Sequence, residues 1–323
     1  MEFDEWLGVS ETVIAVDVGG TTIKGVVVDR GGRFVRELSR ATPAGRGPEA
    51  VIAELQAVIA ELRVAEPETG AVNAVGVVVP GFVDAAAGVA RFSANLGFRD
   101  VPVRQLVAEA TGLPTVLEHD VRAAGVAEET VGLTAETDDY LLAVIGTGIA
   151  AVVGGNGRSI RGATELAGEL GHIPVWPDGE SCPCGQRGCL ERYASAASVS
   201  RRYTELSGSE LRAEKVVARR DQDSAAAQVW QDATEALALA FATCTMLLDP
   251  AVIVLSGGLS QAGAALVDPL RAALAKRIVW RQPPPVLLSQ LGDRGGRIGA
   301  AVLTWRSLGL DDFAAWRNWY SPI

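Results

Sequence analysis

Three cysteines fall within eight residues of each other, in the run Cys182-Pro183-Cys184-Gly185-Gln186-Arg187-Gly188-Cys189, and His172 lies ten residues before the first of them. Three thiolates and one imidazole complete the closed tetrahedral shell of a structural Zn2+, with no open position for a reacting water. A disulfide with one thiol left over, or three small core residues, would use the same letters. The tight spacing in a chain without a secretory leader points to the metal. Such an ion fixes a loop rather than doing chemistry, and it orients the second ring nitrogen of its histidine. Cys244, inside an apolar helical stretch, reads as a buried core thiol.

A second set of residues suits an anion. Asp17-Val18-Gly19-Gly20-Thr21-Thr22 stands between two β-forming runs. Bare glycine backbone lets amides approach phosphate oxygens, and threonine hydroxyls add donors. Asp17 is placed to orient a hydrated Mg2+, and Lys24 offers one further positive charge. Gly146-Thr147-Gly148 is a second such turn, and Ser256-Gly257-Gly258 ends a third buried strand. Each alone also fits a plain glycine hairpin. The three together imply a nucleotide. None is a Walker loop or a dinucleotide fingerprint, because both require a helix directly after the glycines. Asp120 ends the run Thr115–Asp120. A carboxylate at a strand end suits a general base for a hydroxyl, and it equally suits a helix N-cap.

The elements that must position these residues follow from hydrophobic period. Val13–Gly20, Lys24–Asp29 and Phe34–Ser39 read as strands, Pro48 to about Ala65 as an amphipathic helix, and Asn73–Gly81 as a buried strand followed by a loop. A helix over Val103–Ala110, a strand over Thr115–Asp120 and a helix over Val121–Thr130 follow. The pattern then restarts with the strands Tyr140–Gly148 and Ile149–Gly155. Helices over Arg192–Tyr203, Ser209–Arg219 and Ser224–Leu248 come next, then the strand Ala251–Gly258, a helix near Ala264–Ile278 and the short strand Pro285–Gln290. Gly299–Leu308 and Asp311–Trp319 are helical. Strand, glycine turn, strand thus occurs twice, which predicts two related α/β lobes flanking a ligand cleft.

Composition sets the class. The 323 residues exceed what one core usually needs, and 48% hydrophobic with 21% charged residues is ordinary globular usage. A net charge of −10 with no basic cluster gives nucleic acid no electrostatic footing. The pairs Arg201–Arg202 and Arg219–Arg220 read as solvated helix faces. The N-terminus is acidic, and no run approaches the roughly 18 apolar residues that span a bilayer. A cytoplasmic protein is expected.

The motifs also carry a resemblance. DVGGTTIKG, GTGIAAVV and SGGLSQAG resemble the two phosphate segments and the adenosine segment of the actin-like ATPase superfamily, which includes hexokinases. The segment Gly168–Ser195 resembles the signature of the ROK family (repressors, open reading frames, kinases). VVVPGFVD, FSANLGFRDVPV and EHDVRAAGVAE are similar to that family's sugar-binding strand, loop and catalytic segment. The likeness runs from about Val13 to Leu308. It implies a duplicated actin-like (ribonuclease H-like) α/β fold: a smaller N-terminal lobe over residues 1–121, a larger lobe over 122–299 bearing the zinc loop, and a C-terminal helix over 300–323 packing back on the first lobe. It implies an ATP-dependent sugar kinase, a glucokinase by its sugar-contact set, working as a homodimer or homotetramer. Asp120 is then the catalytic base. Gly81, Asn95, His119, Asp120, Glu169, His172 and Glu191 contact the sugar. Asp17, Gly19, Gly20, Thr21, Thr22, Lys24, Gly146, Thr147, Gly148, Gly257 and Gly258 hold Mg-ATP, and His172, Cys182, Cys184 and Cys189 bind zinc. One departure stands out: His119 occupies the place where the family usually has Asn, so the choice of hexose, including N-acetylhexosamines, stays open. Many family members are repressors with an N-terminal DNA-binding domain. Only twelve residues precede Val13 here, which argues against that role, as the two intact phosphate turns argue against a silent sugar sensor.

Overall fold

A computed structural model describes residues 11–64 and 70–320. The acidic N-terminal residues, Ala65 at the expected end of the first helix, and residues 321–323 lie outside the described residues. The chain forms two compact units. One holds the chain up to Gly132 and from Arg294 onward, the other Leu133–Asp293.

In the first unit β1 (Glu11–Val18), β2 (Thr22–Asp29) and β3 (Phe34–Ala41) form an antiparallel meander. The helix α1 (Pro48–Arg63) begins on a proline, with Glu49 in its first turn and Arg63 in its last, as the helix dipole favours. It buries Val51, Leu55, Val58, Ile59 and Leu62 against the sheet. Each such side chain contributes about 1.5–3 kcal/mol when fully buried. The strand β4 (Ala71–Val79) then joins β1 in parallel. Residues after Gly81, expected as a loop, instead form a three-stranded antiparallel sheet of β5 (Phe82–Asp84), β6 (Val89–Ser93) and β7 (Phe98–Val101). Val83, Ala90 and Phe98 reach the core, which is what makes strands this short worthwhile. Then come α2 (Val103–Thr111), β8 (Thr115–His119), parallel to β4, and α3 (Asp120–Val131). The main sheet is ordered β3-β2-β1-β4-β8.

The second unit repeats this plan. The strands β9 (Tyr140–Ile145), β10 (Ile149–Gly155) and β11 (Arg158–Ser159) are antiparallel. The helices α4 (Glu191–Ala194), α5 (Ala196–Ser207), α6 (Ala213–Arg219) and α7 (Ser224–Leu248) follow. The strand β12 (Val252–Ser256) joins β9 in parallel, α8 (Ala264–Arg277) crosses over, and β13 (Val286–Leu288) joins β12 in parallel. The order β11-β10-β9-β12-β13 matches the first sheet strand for strand. The helix expected as continuous from Arg192 breaks at Ser195, whose Oγ accepts from Ser198 N at 3.1 Å and caps α5. Asp223 caps α7, accepting from the amides of Ala225 and Ala226 at 2.9 and 3.2 Å. A hydrogen bond from Tyr203, with these amides, holds its carboxyl below the usual range. None of the described helices is long and apolar enough to cross a membrane.

The helix α9 (Gly295–Ser307) returns the chain to the first unit, and the C-terminal turn α10 (Arg317–Tyr320) follows. Trp316 Nε1 donates to Arg30 O at 2.9 Å and Tyr320 Oη to Gly32 O at 2.5 Å, anchoring this end on the β2–β3 turn. Burial pushes the Tyr320 phenol above its ordinary range. The sequence boundaries at 121/122 and 299/300 would cut α3 and α9 apart from their unit. The structure keeps both helices whole because they pack on each other: Gly299 lies directly against the carbonyl of Ala123, with no room for a Cβ. Gly76 of β4 likewise sits under Ala300 and Thr304. Gly299→Ala is therefore expected to destabilise the protein by about 1–3 kcal/mol through overpacking. A melting curve reads this, and an unchanged melting temperature would show that α3 and α9 have slack to separate.

Candidate active site

In the first unit, parallel pairing brings the C-terminal ends of three strands to one edge. Asp17 is level with Val78, and Val79 with His119. The β1–β2 turn, the Pro80–Gly81 step and Asp120 therefore share that edge, where α/β sheets place their ligands. The turn closes with Gly19 N donating to Thr22 O at 3.0 Å. Thr42, just past β3, braces it: its Oγ1 donates to Gly19 O at 2.6 Å and its amide to Thr21 O at 3.0 Å. Asn95 comes to the same turn, since a side chain on Gly20 would stand 3.1 Å from its Cβ. Lys24 sits within β2 directly opposite Asp17, so the two share one face of the sheet. Gly81 has φ of 104° and presses on the backbone of Phe92 and Ser93, a conformation and a contact that exclude any other residue.

Asp120 is the first residue of α3, and His119, not Asp120, occupies the N-cap position. Asp120 Oδ1 accepts from Val121 N at 2.7 Å and lies 3.2 Å from His119 Nε2. Among the described residues Oδ2 bears no hydrogen bond. The corner behind it is fixed. His119 N donates to Glu118 Oε1 at 2.8 Å, the buried Glu118 pairs with Arg122 at 3.0 Å, and Arg122 Nη2 donates to Val83 O at 2.9 Å.

In the second unit the β9–β10 turn is closed by Gly146 N donating to Gly148 O at 2.9 Å and held by Ala196 N donating to Gly146 O at 2.8 Å. Glu191, the first residue of α4, reaches this turn. Its Oε2 accepts from Ile149 N at 2.8 Å, and a Cβ on Gly148 would stand 2.6 Å from the same oxygen. Glu191 therefore meets both the turn and Gly171 of the Glu169–His172 segment, leaving Oε1 for other partners. Gly257, at φ of 86°, brings the end of β12 against Ile145. Beside Gly258 opens a cavity of about 590 Å3, lined by Ala196, Ala213, Val217, Leu259 and Ala262 among others. Gly258, Leu259 and Ala262 belong to the SGGLSQAG segment singled out in the sequence. The α6 residues carry no motif and enter the cavity through tertiary packing alone.

The cysteine segment folds back so that His172, Cys182, Cys184 and Cys189 place their ligand atoms within 4.8 Å of one another. His172 Nδ1 is 3.9 Å from Cys182 Sγ, and Cys184 Sγ is 3.7 Å from Cys189 Sγ. A tetrahedron of 2.3 Å metal–sulfur bonds has an edge of about 3.8 Å, so the four residues fit a closed four-coordinate metal. Burial pushes the Cys189 thiol up to about 12, while the amide of Gln186 holds Cys184 below its ordinary value. His172 Nε2 turns the other way and lies 3.9 Å from Glu169 Oε2. The loop is latched by Glu180, which takes Arg202 Nε at 2.9 Å, Arg192 Nη2 at 3.5 Å and Arg201 Nη2. Arg201 and Arg202, expected on a solvated face, are thus turned inward because Glu180 arrives from a segment distant in sequence.

The first unit therefore offers a braced glycine turn, an Asp–Lys pair and a carboxylate with one open oxygen. The second offers a matching turn, two glutamates, a histidine, an apolar cavity and a cysteine–histidine cluster that fits a metal ion. Comparison with known proteins gives these sets their context. The glucokinase of Thermotoga maritima is 31% identical over 315 residues, 92% of this chain and 98% of its own length. The structure of a ROK family glucokinase from Streptomyces griseus, in complex with glucose and AMPPNP, superposes with a TM-score of 0.80 at 30% identity, covering 91% of this chain and 99% of that one. A ROK hexokinase from Thermus thermophilus superposes with a TM-score of 0.79 at 30% identity, over 92% and 99% of the two chains. The family model for ROK proteins matches residues 13–307, and with the repeated sheets and the cysteine–histidine cluster in place the chain belongs to the ROK family and has its actin-like ATPase/hexokinase fold.

Proposed function

We propose that this protein is a cytoplasmic ATP-dependent glucokinase, transferring the γ-phosphoryl group of ATP to the 6-hydroxyl of glucose. The observation that carries the reading is Asp120: a carboxylate at the strand edge with Oδ1 held by Val121 N and Oδ2 open, in a chain about 30% identical to glucokinases over nine-tenths of its length. The 6-hydroxyl donates to Oδ2. As its oxygen attacks the γ-phosphorus in line, the proton passes to Asp120, the bond to the β–γ bridging oxygen breaks, and ADP leaves. The amides around Gly19, Gly20, Gly146 and Gly148, with the hydroxyls of Thr21, Thr22 and Thr147, receive the charge that spreads over the phosphoryl oxygens. Lys24 adds positive charge from β2, and Asp17 is the residue to hold the water shell of Mg2+. When bound with ATP, that ion neutralises charge on the phosphates. The adenosine is assigned to the apolar cavity beside Gly257 and Gly258, whose volume is in the range of small-molecule sites.

Gly81, Asn95, His119, Glu169, His172 and Glu191 are assigned to the sugar. Carboxylates and imidazole pair with vicinal hydroxyls, and an inverted or missing hydroxyl leaves one of them unpaired at about 1–3 kcal/mol. Zinc on His172, Cys182, Cys184 and Cys189 fixes the segment carrying Glu169 and Glu191. Self-association into a dimer or tetramer is assigned on the family resemblance.

Asp120→Ala is expected to lower kcat by at least the 10²–10⁴-fold worth of a general base, while glucose still shifts the melting temperature. Near-normal turnover in that variant contradicts the assignment. Metal analysis of the purified protein is expected to return one zinc per chain. Cys184→Ser is expected to lower zinc content, melting temperature and turnover together. A zinc-free protein with unchanged melting and turnover contradicts the structural role of the ion.

A further inference from the structure

We infer that Glu180 is the positioning residue of the cysteine–histidine cluster: its carboxylate sets the hairpin bearing Cys182 and Cys184 against His172 and Cys189, and so governs how firmly zinc is held. This rests on the reading of the cluster as a zinc site. The four ligands come in two halves. His172 and Cys189 lie on segments tied by backbone: Pro174 and Cys189 form a β-bridge, and Leu190 N donates to Ile173 O at 2.9 Å. Cys182 and Cys184 stand on a hairpin instead. It is closed by the Ser181–Arg187 bridge, by Cys182 N donating to Gln186 O at 2.8 Å, and by Gly188 N donating to Glu180 O at 2.7 Å.

Those bonds shape the hairpin without fixing where it points. Apart from the cluster itself, no hydrogen bond among the described residues ties Ser181–Arg187 to the rest of its unit. The stem is held at Trp176, whose carbonyl accepts from Gly179 N at 2.7 Å and whose amide donates to Gly188 O at 3.3 Å. A hairpin held only there can pivot about its stem. Glu180 supplies the restraint from another side. Its amide donates to Tyr193 Oη at 2.7 Å. Its Oε1 takes Arg202 Nε at 2.9 Å, and its Oε2 pairs with Arg201 Nη2 and, at 3.5 Å, with Arg192 Nη2. Three guanidiniums from α4 and α5 thus meet one carboxylate that is 28% exposed, and charge-assisted bonds of this kind are stronger than neutral ones. Arg202 is fixed in turn by Asp232, to which its Nη2 donates at 2.8 Å. A closed tetrahedral site needs all four ligands in place at once, so what aims the hairpin also sets the affinity.

The test measures zinc affinity by competition with a chromogenic chelator, with a melting curve for each variant and the visible spectrum of the cobalt-substituted protein. Glu180→Gln keeps the shape and loses the charge. It is expected to hold zinc about ten- to a hundredfold more weakly than the parent, the range typical of groups that orient metal ligands, and to weaken the thiolate–cobalt bands. Arg202→Lys keeps a charge but loses the fork that joins Glu180 to Asp232, and is expected to weaken zinc binding in the same direction. It decides the case if the glutamine variant does not fold. Glu205→Gln removes the exposed partner of Arg201 and leaves Glu180 in place, and is expected to hold zinc as the parent does. Parent-like affinity and an unchanged cobalt spectrum in Glu180→Gln, or in Arg202→Lys where the former does not fold, overturn the role. Equal weakening in Glu205→Gln overturns it too, because loosening α5 would then suffice. Parent protein that binds no zinc overturns the zinc reading together with this role, whereas a zinc-bearing parent with unaffected variants overturns this role alone.

Discussion

A turn that offers its amides to an anion must be bare, and a bare turn cannot hold its own shape. The rest of this structure answers that constraint. In the first unit the β1–β2 turn is braced by Thr42, just past β3, and met by Asn95 from the loop between β6 and β7. In the second, the β9–β10 turn is braced by Glu191 at Ile149 and by the first amide of α5 at Gly146. The two units share a strand order and differ in what holds the turn. The second delegates it to a carboxylate that the cysteine loop delivers, so the cysteine–histidine cluster is separated by Leu190 alone, in sequence, from a group on the β9–β10 turn. This links the integrity of the cluster to the geometry of the turn.

The same economy appears around Asp120. A carboxylate that accepts a proton needs a defined orientation and an oxygen with nothing else to do. The helix start supplies a donor at Val121 N, while Glu118, Arg122 and Val83 keep the corner still. The small sheet of β5–β7 thus has two tasks, presenting Asn95 to the glycine turn and receiving Arg122 at Val83.

Much of this was legible in the sequence where local chemistry dominates. The helix α7 has the expected limits, Ser224–Leu248, because Asp223 is a strong cap and Asp249 adopts a left-handed φ of 48° that ends it. The cysteine–histidine set assembles as its spacing predicts, and the duplication announced by the two glycine turns is present in the sheet order. What failed was tertiary in origin. Strands of three to five residues between Gly81 and Val101 carry too few positions for a period to show. Arg201 and Arg202 look like a solvated pair until Glu180 folds onto them. The turn of His119 onto Asp120 depends on side-chain rotamers at a strand–helix junction, and the α6 side of the cavity depends on packing alone.

The account stands most directly on one measurement: incubation of the zinc-loaded protein with Mg-ATP and a panel of sugars (glucose, mannose, fructose, allose, N-acetylglucosamine and N-acetylmannosamine), following ADP release and identifying the product by phosphorus NMR. The account predicts that glucose gives the highest kcat/KM and yields glucose 6-phosphate with one ADP per sugar. ADP release without a sugar phosphate, or phosphorylation confined to another sugar of the panel, would contradict it.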